Sequence, residues 1–397
     1  MQSLDFSICC GCKSCQRSCP KNAIELCSDA FGAKSIRISC ESCINCGLCQ
    51  KRCPMINPSL NGVLTSYLCY SKNRSIRKNG SSGGFFGLLA TQLISEGWLI
   101  CGAAWNGLRV VHKIIDRVED LPSIQKSKYV QSELGDVFPQ IKSFLSANKK
   151  MVFVGTPCQV ESLKKYLGNK NDDNLLLIDF LCHGVPSQQM FDRFISNEES
   201  KKNIKIRAFS FRSKSHGNPH SFAYTYFKKG SKRLHKRTGN FYEFPYYQAY
   251  LSYTLFMESC YHCPFSQEKR PGDLTLADGW MAETLNSKFS TWGRGKGVSE
   301  ILVNTSKGQR AFSCVQRKLI VSLIPTDFVK KNNQSFKEPT ILPEDYLKKV
   351  RLQTSTDFEK SIKTNFTLSK RQLFKARLSD AAPRWLVKFI RKLSRKA

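Results

Sequence analysis

Met151-Val152-Phe153-Val154-Gly155-Thr156-Pro157-Cys158-Gln159 is the stretch that decides the fold. Four apolar residues in a row read as a buried strand, and the small residues after them as a turn before a helix over Val160 to Leu167. Leu175 to Phe180 repeats the apolar run. It closes on Leu181-Cys182-His183-Gly184, with Pro186 opening a helix through Phe194. Strand, helix, strand in that order forces the two strands to run parallel. Cys158 and Cys182 then follow the carboxyl ends of strands that lie ~4.8 Å apart if they are neighbours. That edge is where open α/β sheets bind ligands.

Working outward, Phe85 to Ile94 and Asp136 to Ala147 read as helices, and Trp98 to Ala104 and Arg109 to Ile115 as strands. The segment Ser71 to Gly84, rich in Asn, Ser, Gly and basic residues, reads as the separation between this body and what precedes it. Its end, Ser81-Ser82-Gly83-Gly84, is a small-residue loop entering a helix, where free N–H groups and the helix dipole favour phosphate. Gly155 and Thr156 offer a second such turn. A flexible linker end is the alternative for the first loop. No G-x-G-x-x-G fingerprint marks a nicotinamide-binding half.

The head is built on cysteine. Cys9, Cys12, Cys15 and Cys19, followed by Pro20, make C-x2-C-x2-C-x3-C-P, and Cys43, Cys46, Cys49 and Cys53, followed by Pro54, make it again. Three cysteines two apart wrap one cubane, while the fourth is carried by the proline turn to the other cluster. The expected sets are Cys9, Cys12, Cys15 with Cys53, and Cys43, Cys46, Cys49 with Cys19, each holding a 4Fe–4S cluster. Zinc sites show paired C-x2-C knuckles and not a run of three. The pattern resembles the bacterial two-cluster ferredoxins. Cys10 and Cys40 are spares beside the quartets, and Cys27 reads as a packed apolar cysteine. The short strands Ala23-Ile24-Glu25-Leu26 and Ser35-Ile36-Arg37-Ile38 flank Gly32.

Downstream, Cys260-Tyr261-His262-Cys263-Pro264 adds a C-x2-C-P pair. With Cys158 and Cys182 it completes a four-thiolate site. Spacing leaves two readings open: a third 4Fe–4S cluster, or zinc on Cys260 and Cys263 with His262 or His183.

Lys and Arg number 62 against 31 Asp and Glu, a formal charge of +31. Residues 201–240 carry basic residues and no acid. There Arg207, Arg212, Lys214 and Lys228 interleave with Phe209, Phe211, Phe222, Tyr224, Tyr226 and Phe227. Such a pattern can stack and neutralise single-stranded nucleic acid. Amphipathic strands facing a core are the favoured reading, with Arg212 and Lys214 near a cofactor's phosphates or an anionic substrate. At the end of the chain Pro383 precedes Trp385, Leu386, Phe389, Ile390 and Leu393 at helical spacing, among basic residues. This basic amphipathic helix suits an anionic membrane surface. No stretch reaches the ~18 apolar residues of a membrane span. Met1 to Cys9 lacks a secretory pattern, and cysteine-rich quartets suit a reducing compartment. The expected location is cytoplasmic, with peripheral contact at the inner face of the membrane.

The body motifs carry a resemblance. Ser81-Ser82-Gly83-Gly84, Gly155-Thr156-Pro157-Cys158-Gln159, Cys182-His183-Gly184-Val185-Pro186-Ser187, Phe211-Arg212-Ser213-Lys214, the C-x2-C-P-F segment and Gly272-Asp273-Leu274-Thr275-Leu276-Ala277-Asp278-Gly279-Trp280 occur in one order. That order resembles the beta subunits of the deazaflavin-reducing (coenzyme F420) hydrogenases and dehydrogenases, over roughly residues 65–345. The resemblance implies a flavin, usually FAD, with an iron–sulfur cluster beside it on Cys158, Cys182, Cys260 and Cys263. Members reduce a deazaflavin, a chlorophyll precursor or sulfite-linked partners, and some are fused to a ferredoxin head. His183, in the cysteine turn, is a candidate proton donor near the flavin, and a histidine bonding backbone in a tight turn is the alternative.

The expected fold is α/β (α+β overall): a two-cluster ferredoxin-like head over 1–60, a mixed α/β flavin-binding body over 65–345, and a basic helical tail over 346–397. The expected function is an iron–sulfur flavoprotein oxidoreductase. Its expected partners are a ferredoxin-type electron donor or acceptor and a small-molecule substrate, deazaflavin-like or another acceptor, with nucleic acid disfavoured. The alternative is a non-catalytic electron adapter or a basic surface-binding module.

Overall fold

In the computed structural model of the chain, the structure describes residues 8–29, 32, 34–168, 173–214, 220–289, 296–342 and 355–381. The opening stretch forms β6 (Met151–Val154), a helix over Pro157–Leu167, and β7 (Leu175–Phe180). The two strands pair in parallel, Met151 opposite Leu175 and Val154 opposite Ile178. Their uninterrupted apolar runs have a plain cause: both faces of the sheet are covered. Met151, Phe153, Leu175 and Leu177 pack on one face with Val160 and Leu163 of the intervening helix and with Phe138 and Ile141 of the helix Val137–Ser146. Val152, Leu176 and Ile178 pack on the other face with Phe85, Leu89 and Phe312, from the helices Phe85–Ser95 and Ser306–Gln316. Each such fully buried aliphatic side chain contributes ~1.5–3 kcal/mol.

The sheet extends on both sides of this pair. β4 (Leu99–Asn106) joins β6 in parallel, and β5 (Arg109–Ile115) closes that edge antiparallel to β4. β11 (Leu274–Asp278) joins β7 in parallel. Beyond it come β12 (Ser299–Val303), β3 (Thr65–Ser71) and β13 (Leu319–Ile324), each antiparallel to its neighbour. The full order is β13-β3-β12-β11-β7-β6-β4-β5. A mixed α/β architecture is thus what the chain adopts.

Two smaller sheets flank it. β1 (Ile24–Ser28) and β2 (Lys34–Ile38) form the head hairpin. β8 (Ile204–Phe211), β9 (Ser221–Lys228) and β10 (Leu234–Asn240) form an antiparallel sheet. In it Phe209, Phe211, Phe222 and Tyr224 are buried in an aromatic core with Phe191, Tyr246 and Phe256. The alternation of basic and aromatic residues in this block is therefore a strand's two faces.

Three local expectations are corrected. Cys158 does not sit in a free turn: the helix begins at Pro157, capped by a reciprocal box between Thr156 and Gln159, so Cys158 lies in its first turn. Pro186 does not open the next helix, which is capped by the Ser187 side chain and runs Gln188–Lys202. Ser71 to Gly84 is not a linker, since Ser71 ends β3 and a short helix, Arg74–Asn79, follows with Asn73 as its cap. Part of the tail is also packed. The helix Ser355–Asn365 places Phe358 and Ile362 in the aromatic core, and Phe366 follows them there. The basic helix expected from Pro383 to Leu393 lies outside the described residues.

Candidate functional site

Two adjoining cavities lie at the carboxyl edge of the parallel strands. The larger holds about 610 Å³, within the range of pockets that take a cofactor-sized molecule. Its wall collects Ser81, Ser82, Gly84, Gly155, Thr156, His183 and Arg212, along with Asp278 and Trp280. The smaller is lined by Cys158, Cys182, Cys260 and Cys263, with Cys10 from the head as a fifth thiol. Cys158, Cys182, Thr156 and Gln131 line both, so the cavities share a wall.

Around the thiol cavity the titratable residues are thiols alone: neither a carboxylate nor an imidazole lines it. His262, the expected alternative ligand, is 62% exposed and pairs with Glu258 at 3.6 Å. His183 lines the larger cavity instead and stacks on Tyr253 at 5.7 Å. Burial pushes the Cys260 thiol up to about 12. It raises Cys182 well above the usual range, with repulsion from Cys260, Cys158 and Cys263 adding to it. Four thiolates this close repel one another unless a cationic centre lies between them, so the donor chemistry fits a thiolate-held metal group. Among the described residues no three His, Cys, Asp or Glu side chains are placed to hold a single metal ion.

The head shows the same arrangement. Cys15 is repelled by Cys12, Cys9 and Cys53, and burial, the larger effect, pushes it up to about 12. Cys53 of the second quartet therefore lies close to Cys15 of the first. Cys49 is raised by burial and then by Cys46 and Cys43. Amide groups point at two of these sulfurs, Gly11 N–H at Cys9 (3.4 Å) and Ala23 N–H at Cys19 (3.3 Å).

In the larger cavity the predicted residues divide. The helix Phe85–Ser95 opens into it behind Gly84, whose φ of 87° suits only glycine without strain. Gly83 faces away: its N–H donates to Ser299 Oγ at 2.9 Å, and a Cβ there would meet Cys69 O at 2.4 Å. Arg212 donates to both carboxylate oxygens of Asp278, at 2.7 and 3.0 Å, and to Ser81 O at 3.1 Å. The pair holds Asp278 below its usual range despite burial. Lys214 is spent on the carbonyls of Arg77 (2.9 Å) and Ser82 (2.7 Å), and does not line the cavity. Burial, with Arg212 second, brings it to about 7. Burial also lowers His183, against the pull of Asp278, so its imidazole is neutral at pH 7.

Lys126, Lys128, His112 and His220 also line this cavity and gave no signal in the sequence, where lysine is abundant. Lys128 is brought to about 7 by burial and by Lys126. His220, brought to about 3 chiefly by burial, stacks on Trp280 at 5.4 Å. Arg270 is a further residue without a sequence signal. It is 1% exposed, bonds Asp179 at 2.9 Å and Phe265 O at 2.7 Å, and so ties the Cys263 loop to β7.

The sheet's strand ends present cysteines beside a cofactor-sized cavity, and a family model matches this part of the chain. Residues 148–327 match the family described as the C terminus of the coenzyme F420 hydrogenase/dehydrogenase beta subunit. That stretch holds Cys158, Cys182, Cys260, Cys263, Arg212 and Asp278. Among solved structures the chain is similar to one from the F420-reducing NiFe hydrogenase complex from Methanosarcina barkeri. The identity is 15%, covering 77% of this chain and 92% of that chain, with a TM-score of 0.43. No curated protein matches the chain. No helix among the described residues is long and apolar enough to cross a membrane.

Proposed function

We propose that the chain is an iron–sulfur flavoprotein oxidoreductase. It would hold two 4Fe–4S clusters in the head (1–60), a third on Cys158, Cys182, Cys260 and Cys263, and a flavin, FAD or a related one, in the 610 Å³ cavity. The observation that carries this reading is the wall common to the thiol cavity and the larger one. When bound, clusters supply single electrons and a flavin pairs them for two-electron chemistry. The protein's own part is positional. The helix end behind Gly84 offers amide groups to phosphates, whereas the N–H groups of Gly155 and Thr156 are taken by Ile178 O and Gln159 Oε1. The half-buried His183 lines the cavity as an imidazole that could take up a proton and pass it to a substrate. The Arg212–Asp278 pair fixes the Ser81 loop.

The electron partner is proposed to be a ferredoxin-type protein, and the substrate a small molecule such as a deazaflavin. The chain would work in the cytoplasm. A non-catalytic electron adapter is the competing reading. Protein purified anaerobically and reconstituted is expected to carry about twelve iron atoms, an equal amount of sulfide and one flavin per chain, and to turn over a viologen dye. Iron near eight removes the third cluster, and absence of flavin leaves the adapter.

A further inference from the structure

We propose that the helix Lys370–Ala381 docks on an anionic lipid surface through one exposed face, a role beyond the redox reading and independent of it. The body fixes how this helix is turned. Its start is capped reciprocally: Gln372 N–H donates to Ser369 Oγ at 3.3 Å, and Ser369 N–H to Gln372 Oε1 at 2.9 Å. Arg377 pairs with Glu243 at 3.2 Å. Leu373 lines a small cavity with Phe366 and Arg237. That side of the helix faces protein. Arg371, Phe374, Lys375 and Leu378 stand at i, i+3, i+4 and i+7, a single stripe on the side turned away. All four are exposed, Phe374 at 64% and Leu378 at 54%.

Charge names the occupant. The helix carries Lys370, Arg371, Lys375 and Arg377 against Asp380 alone. The chain that follows, residues 382–397, adds six Lys or Arg and no acid, with Trp385, Leu386, Phe389 and Ile390 among them. An apolar pair one turn apart, flanked by cations, suits the boundary of a bilayer. The phenyl and isobutyl groups leave water for the acyl edge, while Arg371 and Lys375 stay among anionic headgroups. A second copy of this chain suits the stripe less well, because self-pairing would bring those like charges together. Two apolar side chains and a few cations make a weak, reversible anchor, and one that salt loosens.

The test is flotation of the full-length protein with vesicles of phosphatidylcholine alone, or of phosphatidylcholine and phosphatidylglycerol in equal amounts. Wild-type protein is expected to float with the mixed vesicles, less so as salt rises, and to stay unbound by phosphatidylcholine. The double variant Phe374→Ser, Leu378→Ser should partition about tenfold more weakly, since two apolar side chains no longer leave water. The charge-reversed Arg371→Glu, Lys375→Glu should fall by about the same factor on the mixed vesicles. Both variants keep the wild-type melting temperature, because the changed side chains stand in solvent. Flotation of either variant at wild-type strength overturns the proposal and leaves any membrane contact to residues 382–397. Wild-type protein that binds neither vesicle, or both equally, overturns it too. So does a sedimentation coefficient that shifts in the serine variant without lipid, which would make the stripe a protein contact.

Discussion

His112 sits on β5 with its ring 5.2 Å from that of Phe153, and its Nε2 donates to Val154 O at 3.1 Å. Nδ1 is buried without a partner among the described residues. Burial, chiefly, lowers its pKa to about 4, against about 6.5 in an unfolded chain. Between those values the unfolded state binds a proton that the folded state refuses. Stability from this group is therefore complete above pH 6.5 and is lost as pH falls towards 4, at up to about 1.4 kcal/mol per pH unit. Urea unfolding of the reconstituted protein should show a lower midpoint at pH 5.5 than at pH 7.5. His112→Phe keeps the ring and loses the bond to Val154 O. It should be about 1 kcal/mol less stable at pH 7.5, with a shallower pH slope. Some slope remains, because His220 is lowered in the same sense. An unchanged slope in the variant would place the titration elsewhere.

At the scale of elements, the thiol site depends on how β7 holds the loop that brings Cys260 and Cys263. Asp179 of β7 is fully buried. It accepts from Arg270 at 2.9 Å through one oxygen and from Gly272 N–H at 2.9 Å through the other. Breaking one side of a buried pair costs ~3–5 kcal/mol, since the remaining charge is left unpaired. Arg270→Leu should lower stability by that order in thermal melts and deplete iron by about four atoms per chain. Loss of stability with iron intact would show that the loop holds the thiols unaided. Nothing in the sequence marked Arg270, because its partner is 91 residues away and a lone arginine has no period. β6 and β7 were legible, since a strand covered on both faces must be apolar throughout. β3 was not: it lies between β12 and β13, strands more than 200 residues later, and its seven residues mix Thr, Ser, Tyr and Cys with a single Leu. The use of Lys214 on backbone carbonyls was equally hidden, as it depends on where Ser82 lands.

At the scale of the whole molecule, the two quartets of the head differ in exposure. Cys46 is exposed, Cys12 is buried, and beside Cys46 Ile44 stands 56% exposed. The head is not a loose appendage. Cys10, Cys12 and Met55 share one core with Phe138, Val160 and Phe265 of the body. Ser59 N–H donates to buried Glu161 at 2.7 Å, and Lys165 reaches Ile56 O at 2.8 Å. Under the proposed function, a protein electron donor would have its nearest approach at the second quartet, on the outer side of a fixed head. The charge of the chain, +31, is reduced but not reversed by the clusters it would hold. A field of that sign speeds encounter with acidic partners, by ~10–10³ at low salt. It weakens as the Debye length shrinks from ~30 Å at 0.01 M to ~8 Å at 0.15 M. Stopped-flow reduction of the reconstituted protein by an acidic ferredoxin should slow steeply over that range of salt. Reduction by a neutral flavin-type mediator should hardly change. Equal salt dependence for the two would mean that the positive field does not steer the donor, and the basic surplus would then serve another surface.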